Sequence, residues 1–100
     1  MTTEVRWTNH AVADLQAIRD FITRDSPRYG RLVAERLFIA TERLETFPLS
    51  GRIVPELGRD DVREIIVGEY RLVYKVYGGA VIMLTIFRSS RLFPGRIEEL

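Results

Sequence analysis

The sequence contains no cysteine, and this absence removes several classes of site at once. Without thiolates the chain can form no disulfide, cysteine nucleophile, zinc finger or iron–sulfur centre. Histidine is almost as scarce: His10 is the only one, which excludes a two-histidine acid/base pair and an HExxH metal site. No GxxxxGK[ST] or GxGxxG loop occurs to hold the phosphates of a nucleotide. We therefore expect neither a metal nor a cofactor.

Long hydrophobic runs are also missing. No apolar stretch reaches about 18 residues, and the first residues carry Glu4 and Arg6 where a signal peptide would have an apolar core. We therefore expect no membrane segment and a cytoplasmic location. The 100 residues, 46% hydrophobic and 29% charged, suit one globular domain over 1–100.

Lysine is also scarce: Lys75 is the only lysine, compared with 14 arginines. The net charge is only +1, because 14 acidic residues offset the cations. Residues 8–47 carry six arginines and six acids, whereas residues 63–91 carry four arginines and Lys75 against two glutamates. This basic C-terminal half suits a phosphate backbone or an acidic partner. Alternatively, its charges pair on one sheet face, as Glu64 would with Arg71 or Lys75.

A short strand and a helix are predicted at the start of the chain. Apolar and charged residues alternate over 3–7, which is typical of a half-buried strand. Thr8 or Asn9 can then cap a helix by accepting a hydrogen bond from its first turn. The apolar stripe of this helix is Ala11, Leu15, Ile18 and Ile22.

A second helix is predicted to follow almost at once. Ser26 suits its N-cap and Pro27 its first position, and we expect it to continue until Pro48. So short a connection predicts an antiparallel helical hairpin. The apolar stripe of the second helix is Tyr29, Val33, Leu37, Ala40, Leu44 and Phe47.

The C-terminal half has the pattern of strands. Residues 48–61 contain two prolines and two glycines and predict a loop. Strands are then predicted over 62–67, 70–77 and 80–87, joined by turns at Gly68-Glu69 and Gly78-Gly79. The last strand is apolar almost throughout, as expected where both faces are covered. The fold class is therefore α+β: an N-terminal strand, a two-helix antiparallel hairpin and a three-stranded antiparallel sheet.

The turn at Gly68-Glu69 fixes which residues share a face of the sheet. It places Ile65 opposite Leu72 and Arg63 opposite Tyr74, on the side that meets the helices. The other side is expected to be an open surface of mixed apolar and charged residues, where something could bind. It comprises Glu64, Ile66, Arg71, Val73 and Lys75.

Apolar residues also lie outside the core stripe of the second helix. Leu32 and Ile39 lie about 100–120° from the core direction, interleaved with Arg36 and Arg43, and Phe38 points almost opposite the core. One interpretation is a widened core face with a single exposed aromatic residue. The other is a docking strip for another chain, with apolar anchors edged by arginine.

Several short motifs, in this order and spacing, resemble one known family. They are Trp7 with the AxxDL of Ala11–Leu15, the SP of Ser26-Pro27, FPxxGRxVPE (Phe47–Glu56), REIIVGEYRLVYKV (Arg63–Val76) and FRSSR (Phe87–Arg91). Together they resemble the RelE/ParE toxins of bacterial type II toxin–antitoxin systems, and most closely the ParE-like members, sometimes called plasmid stabilisation proteins. The resemblance covers about residues 5–93 and implies the same fold class.

The resemblance implies a protein partner. A cognate antitoxin, ParD-like or another small antitoxin, wraps such a toxin with its C-terminal segment and neutralises it. An acidic, partly disordered partner that folds on binding would fit both the helical strip and the basic sheet face. The candidate antitoxin-binding residues are Leu32, Arg36, Phe38, Ile39, Arg43 and Lys75.

The resemblance leaves two targets open. ParE-like members poison DNA gyrase, whereas RelE-like members cut messenger RNA on the ribosome. Nucleases of the family place lysine and arginine around the scissile phosphate, with a tyrosine or histidine near the C-terminus for proton transfer. Arg71 matches the family arginine of the YRLVY strand, and Arg88 and Arg91 lie in the basic C-terminal segment. In a nuclease these three arginines would be the catalytic cations.

The match to a nuclease fails on its proton-transfer group. No tyrosine or histidine follows Tyr77, and arginine, protonated up to about pH 12, is a poor proton shuttle. We therefore expect a gyrase-binding toxin and not an enzyme, with Arg71, Arg88 and Arg91 contacting the target. Arg63 is a weaker candidate, because the hairpin register turns it towards the core. The alternatives are a RelE-like messenger RNA endoribonuclease and a non-toxic α+β interaction module.

Overall fold

A helical hairpin packs on one face of a five-stranded sheet in the computed structural model, which describes residues 2–95 and 97. The elements are β1 (Glu4–Trp7), α1 (Asn9–Thr23), α2 (Pro27–Ala40), a short 3-10 helix (Glu42–Glu45), β2 (Arg52–Ile53), β3 (Val62–Val67), β4 (Tyr70–Tyr77) and β5 (Ala80–Arg88). The strand order across the sheet is β1-β5-β4-β3-β2. The predicted α+β class is confirmed. Within the described residues, neither helix is long and apolar enough to cross a membrane.

The sheet is larger than predicted, because both of its edge strands come from outside the three strands predicted over 62–87. The predicted N-terminal strand, β1, pairs in parallel with β5, so that Val5 lies beside Val81. β2 is only two residues long and pairs antiparallel with β3, inside the segment predicted to be a loop. The pairing of β1 with β5 joins distant parts of the chain, which local composition does not encode, whereas β2 pairs over only two residues.

Both helices begin at the predicted capping residues. The Thr8 hydroxyl accepts a hydrogen bond from the Ala11 amide at 3.0 Å, and the Ser26 hydroxyl accepts one from the Tyr29 amide at 3.3 Å. Pro27 occupies the first turn of α2, where backbone N–H groups have no partner within the helix, so the N–H that proline lacks costs no hydrogen bond. These contacts satisfy amide groups that the first turn of a helix would otherwise leave without partners.

α2 ends before the predicted boundary at Pro48. The Thr41 hydroxyl donates to the Phe38 carbonyl at 2.7 Å, and the chain then tightens into the 3-10 helix. The change of period breaks the predicted stripe: Leu44 is fully buried, but Phe47 is 64% exposed. Tyr29, at the other end of the stripe, is also exposed.

The predicted register of the β3–β4 hairpin is confirmed. Ile65 lies opposite Leu72, and Arg63 lies opposite Tyr74. Gly68 has a φ of +57°, a backbone conformation that side-chain-bearing residues rarely adopt, so glycine is needed at the first position of this turn. The turn therefore sets which side chains of β3 and β4 face the helices.

Two apolar clusters lie on opposite faces of the sheet. The larger one, between sheet and helices, includes Leu37, Leu72 and Met83. The smaller one packs the segment after β2 and the C-terminal tail onto the other face. It contains Val54, Leu57, Val62, Val73, Ile82, Leu84, Phe87, Phe93 and Ile97. The expectation of an open second face is therefore wrong for Glu64, Arg71 and Val73, which are buried, whereas Ile66 on the same face is 47% exposed.

The backbone of Gly51, just before β2, lies close to Tyr74 and to the backbone of Glu64. Its amide donates to the hydroxyl of the fully buried Tyr74 at 2.9 Å, and that hydroxyl donates to the Pro48 carbonyl at 2.8 Å. A Cβ on Gly51 would lie 2.5 Å from the hydroxyl oxygen and 2.6 Å from the Glu64 carbonyl. A side chain at this position would force the backbone away from Tyr74.

Replacing Gly51 by alanine should destabilise the protein by about 1–3 kcal/mol, the usual cost of overpacking a filled core. For a domain of this size each kcal/mol lowers the Tm by about 4–8 °C. Gly95→Ala is the control, because no atom of the residues that the structure describes lies within 4 Å of a Cβ at Gly95. Urea denaturation followed by Trp7 fluorescence measures both variants. Equal stability of the two would contradict the close contact.

Candidate functional site

A cluster of ion pairs occupies the second face of the sheet, with Arg71 at its centre. The Arg71 side chain is 9% exposed, and its Nε donates to one oxygen of Glu64 at 2.7 Å. Its two terminal nitrogens donate to the two oxygens of Glu56, each at 2.7 Å. Arg52 Nε donates to the second oxygen of Glu64 at 2.6 Å. The buried Glu64 carboxylate is thus paired on both oxygens, which offsets the cost of removing it from water.

Aromatic rings hold the C-terminal tail against the same guanidinium. The Arg71 Cζ lies 5.0 Å from the centroid of the Phe87 ring and 5.5 Å from that of Phe93. The two rings meet edge to face, with centroids 5.7 Å apart. Since Phe93 belongs to the tail, these contacts fix the tail onto β4 and β5.

The hydrogen bonds of this cluster shift the titration of its members. Those from Arg71 lower the pKa of Glu56 from 4.5 to about 2. In turn, the hydrogen bond to Glu56, followed by that to Glu64, raises the pKa of Arg71. The Arg71–Glu56 pair therefore stays ionised at any physiological pH.

The structure places Arg71 and Arg63 away from an open binding surface. Arg71 lies beneath the segment that carries Glu56, and it pairs with Glu64 as in the charge-pairing alternative. Arg63 is half-buried and donates to the backbone carbonyls of Leu49, Gly51 and Asp60. Both arginines therefore hold the segment between the helices and β3 in place.

Arg88 and Arg91 remain accessible at the end of β5. Arg88 is 46% exposed on its side chain, and its Nη2 donates to Glu69 at 3.1 Å. Arg91 follows in a turn, in which the Arg91 amide donates a hydrogen bond to the Arg88 carbonyl at 2.9 Å. The Arg91 guanidinium is exposed and forms no ion pair with any residue among 2–95 and 97. These two are the accessible cations among the predicted target-binding residues.

A depression of about 300 Å³ lies beside these two arginines. It is lined by Asp14, Ala17, Ile18, Phe21, Tyr70, Ile86, Phe87, Arg88 and Arg91. The Asp14 carboxylate accepts hydrogen bonds from the Thr85 hydroxyl at 2.6 Å and from the Ile86 amide at 3.0 Å, which ties α1 to β5. Burial raises the pKa of the Tyr70 phenol.

Phe21 and Tyr70 were missed as site residues. Phe21 carried a usable signal, because it is a large apolar residue outside the stripe of α1, and it is 62% exposed. Tyr70 carried none, since tyrosine at the start of a strand is common.

The predicted docking strip on α2 is exposed but divided. Leu32 and Ile39 are 45% and 58% exposed, with Arg36 exposed between them on the same side of the helix. Phe38 lies on another side and stacks on Trp7, with ring centroids 5.7 Å apart. We therefore use "α2 row" for Leu32, Arg36 and Ile39 alone.

The other two predicted antitoxin-binding residues lie beyond the α2 row. Arg43 is exposed on the 3-10 helix that follows α2. Strand alternation places Lys75 on the sheet face away from the helices. The structure therefore does not bring Lys75 together with the α2 row.

Comparisons with known proteins agree with this architecture. Residues 5–93 match the family described as "ParE toxin of type II toxin-antitoxin system, parDE". A relative named Toxin RelE2, from Caulobacter vibrioides, is 37% identical over 89 residues, which are 89% of this chain and 98% of the relative.

Solved structures with this fold come from two toxin–antitoxin systems. A chain of the chromosomal ParDE system from P. aeruginosa matches with a TM-score of 0.73 at 22% identity, over 86% of this chain and 95% of the other. A chain of the RelBE2 toxin–antitoxin complex from Mycobacterium tuberculosis matches with a TM-score of 0.59 at 26% identity, over 88% and 99%. The first likeness concerns the fold alone.

Replacing Arg71 by alanine should cost about 3–5 kcal/mol of stability, because it leaves the Glu64 carboxylate buried without its main cation. Arg91→Ala is the matched control. It removes an exposed guanidinium and should change stability by less than about 0.5 kcal/mol. Guanidinium chloride denaturation compares the two. An Arg71→Ala protein as stable as Arg91→Ala would show that the cluster does not hold the fold.

Glu56→Gln should make stability less dependent on acid pH. A carboxyl whose folded-state pKa is about 2 stabilises the fold above its ordinary value of 4.5, and that contribution is lost as pH falls from 4.5 towards 2. Because the Glu56 side chain is 40% exposed, solvent screening limits the difference to about 1 kcal/mol at pH 7. Urea denaturation between pH 2 and pH 7 should show the two curves converging at low pH. A constant difference in stability between the two proteins at every pH would refute the lowered pKa of Glu56. Glu35→Gln, on the exposed side of α2, is the control for loss of a surface carboxylate.

Proposed function

This chain belongs to the ParE toxin family of type II toxin–antitoxin systems, and we propose that the free toxin arrests growth by binding DNA gyrase. The observation that carries this proposal is the accessible pair Arg88 and Arg91, on a turn whose flanks are fixed by packing. Such a surface can bind a partner without any covalent bond being made or broken. A toxin that acts by binding needs no catalytic group beyond such a surface.

The environment of Arg71 supports binding over catalysis. Arg71 donates to Glu56 and Glu64, so its positive charge is already neutralised by two carboxylates. A scissile phosphate would have to displace Glu56 from a bidentate pair to reach this cation. We therefore assign Arg71 and Arg63 a positioning role and keep Arg88 and Arg91 as the residues that contact the target.

One observation favours the alternative, ribosome-dependent cleavage of messenger RNA. Asp14 and Tyr70 line the same depression as Arg88 and Arg91, so acid/base groups do lie beside cations. However, Asp14 Oδ2 already accepts two hydrogen bonds, and the raised pKa of Tyr70 keeps its phenol protonated. The protonated Tyr70 phenol cannot remove a proton from a ribose hydroxyl near neutral pH, which leaves Asp14 as the candidate base of this alternative.

The proposed partner is a small antitoxin of the ParD type, and the proposed compartment is the cytoplasm, where gyrase and ribosomes act. The accessible α2 row supports a protein partner, because its apolar side chains are edged by arginine. A third possibility is an interaction module without toxicity, and growth assays separate it from the other two.

Expression of the chain alone should lower colony counts by at least about tenfold, and co-expression with the adjacent small reading frame should restore them. The Arg88→Ala/Arg91→Ala double variant should lose toxicity, whereas Arg31→Ala, an exposed arginine elsewhere on α2, should keep it. Equal growth with and without induction would refute the toxin proposal and favour the non-toxic module.

Purified protein then identifies the target. Supercoiling by gyrase should be inhibited by the wild type, and about tenfold more of the double variant should be needed for the same inhibition. The parallel assay translates a messenger RNA and maps new 5′ ends. New ends without any effect on supercoiling would reverse the assignment in favour of the endoribonuclease.

A further inference from the structure

A nearly fully exposed leucine ends the turn that follows β5. We use "arginine turn" for this turn, residues 88–92, which carries Arg88 and Arg91. Leu92 is 94% exposed, more than any other large apolar residue that the structure describes. A single exposed leucine is common on protein surfaces. The significance of Leu92 therefore depends on the residues that surround it.

Two backbone hydrogen bonds fix the shape of the arginine turn. The Ser89 amide donates to the Glu69 carbonyl at 2.7 Å, and the Arg91 amide donates to the Arg88 carbonyl at 2.9 Å. A turn closed in this way holds its first and fourth Cα atoms within about 7 Å of each other. The two guanidinium groups therefore start from neighbouring points on the surface, which suits contacts to adjacent phosphates of one strand.

The residue after Leu92 is anchored. The Phe93 ring meets the Phe87 ring edge to face, with centroids 5.7 Å apart, and the Phe93 centroid lies 5.5 Å from the Arg71 Cζ. Phe87 itself is buried at 7% exposure. Leu92 is therefore held between a closed turn and a packed ring, so that covering it with a partner costs little conformational entropy.

The other side chains of the arginine turn are of types that contact phosphate. Arginine and serine both donate hydrogen bonds to phosphate oxygens in protein–DNA complexes. Within the part of the chain that the structure describes, the Ser89 and Ser90 hydroxyls form no hydrogen bond and the Arg91 guanidinium forms no ion pair. In the same part Arg88 pairs only with the exposed Glu69, and the turn itself contains no acid. The turn therefore offers donors that a phosphate can take without displacing a buried partner.

Cations beside one exposed leucine favour DNA over an acidic protein surface. Proteins that bend DNA insert a leucine or another apolar wedge between base steps, while arginine and lysine hold the backbone. A protein interface instead buries a group of apolar and aromatic side chains at its centre. Leu92 is the only apolar residue of the arginine turn. The turn therefore has the composition of a wedge with phosphate contacts on its flank.

We infer that the arginine turn binds the DNA on which gyrase acts, with Arg88 and Arg91 on the phosphates and Leu92 inserted at a base step. This rests on the proposed function and specifies what the two arginines touch there: the nucleic acid, not the enzyme. Insertion costs least where a duplex is already bent or opened, as it is in an enzyme that cuts both strands. The toxin therefore binds the complex of gyrase with DNA more tightly than it binds gyrase alone.

The dependence of gyrase binding on DNA tests this assignment. The full-length toxin is labelled at Arg31→Cys, an exposed position on α2 in a chain that has no cysteine of its own. Its affinity for gyrase is measured by fluorescence anisotropy with and without a DNA duplex. The duplex should tighten binding by at least about tenfold. Leu92→Ser and the Arg88→Ala/Arg91→Ala double variant should each lose most of this gain.

Leu49→Ser is the matched control. It removes a leucine that is 58% exposed and lies before β2, outside the arginine turn, and it should keep the gain within about twofold. Thermal denaturation confirms that all the variants fold. Photocrosslinking gives a direct readout, with Leu92→benzoylphenylalanine compared with Leu49→benzoylphenylalanine. Under ultraviolet light, only the variant at position 92 should crosslink to DNA in the complex with gyrase.

The outcomes separate this inference from the proposed function. Tight binding to gyrase that does not depend on DNA, with crosslinks from position 92 to the enzyme alone, overturns the DNA contact and leaves the toxin proposal standing. A DNA-dependent gain that survives Leu92→Ser and the double variant also overturns it, because DNA then acts through gyrase. If the toxin neither binds gyrase nor inhibits supercoiling, the proposed function fails and the DNA contact fails with it.

Discussion

A buried carboxylate that must be paired with a cation governs the second face of this protein. Glu64 lies on β3, between β4 and β2, and Arg71 and Arg52 donate to its two carboxylate oxygens. Through Glu56 and Phe93 the same arginine also holds the segment after β2 and the C-terminal tail. This cluster of four charged side chains, Arg52, Glu56, Glu64 and Arg71, therefore connects the sheet to both covering segments. The turn that carries the accessible arginines is fixed in position as a result.

Local chemistry was enough to predict most elements of the fold. The caps at Thr8 and Ser26 and the turn at Gly68 each depend on residues close in sequence, and so the helix starts and the β3–β4 register are as predicted. The parallel partner of β1, the two-residue β2 and the early end of α2 were not predicted. The first depends on pairing between distant segments, the second is a pairing of only two residues, and the third coincides with a hydroxyl contact from Thr41.

Of the candidate site, only the exposed charged residues could be predicted from the sequence. Arg88 and Arg91 follow the last apolar strand, and their exposure agrees with that position. Arg71 was expected on an open face, but alternation along a strand cannot show that another segment covers that face. The depression beside Arg88 and Arg91 could not be predicted for a similar reason, since Phe21 and Tyr70 line it together only after α1 has packed over β5.

The parallel pairing of β1 with β5 has a consequence for synthesis of the protein. β1 can form its hydrogen bonds to the sheet only after β5 has been synthesised. The same holds for the hydrogen bond from Thr85 to Asp14. Contacts between such distant segments carry the largest loop-closure cost and form late in folding. The arginine-bearing turn follows β5 directly, so a nascent chain presents no finished binding surface. The surface at the end of β5 therefore forms only once β5 has been translated and has paired with β1.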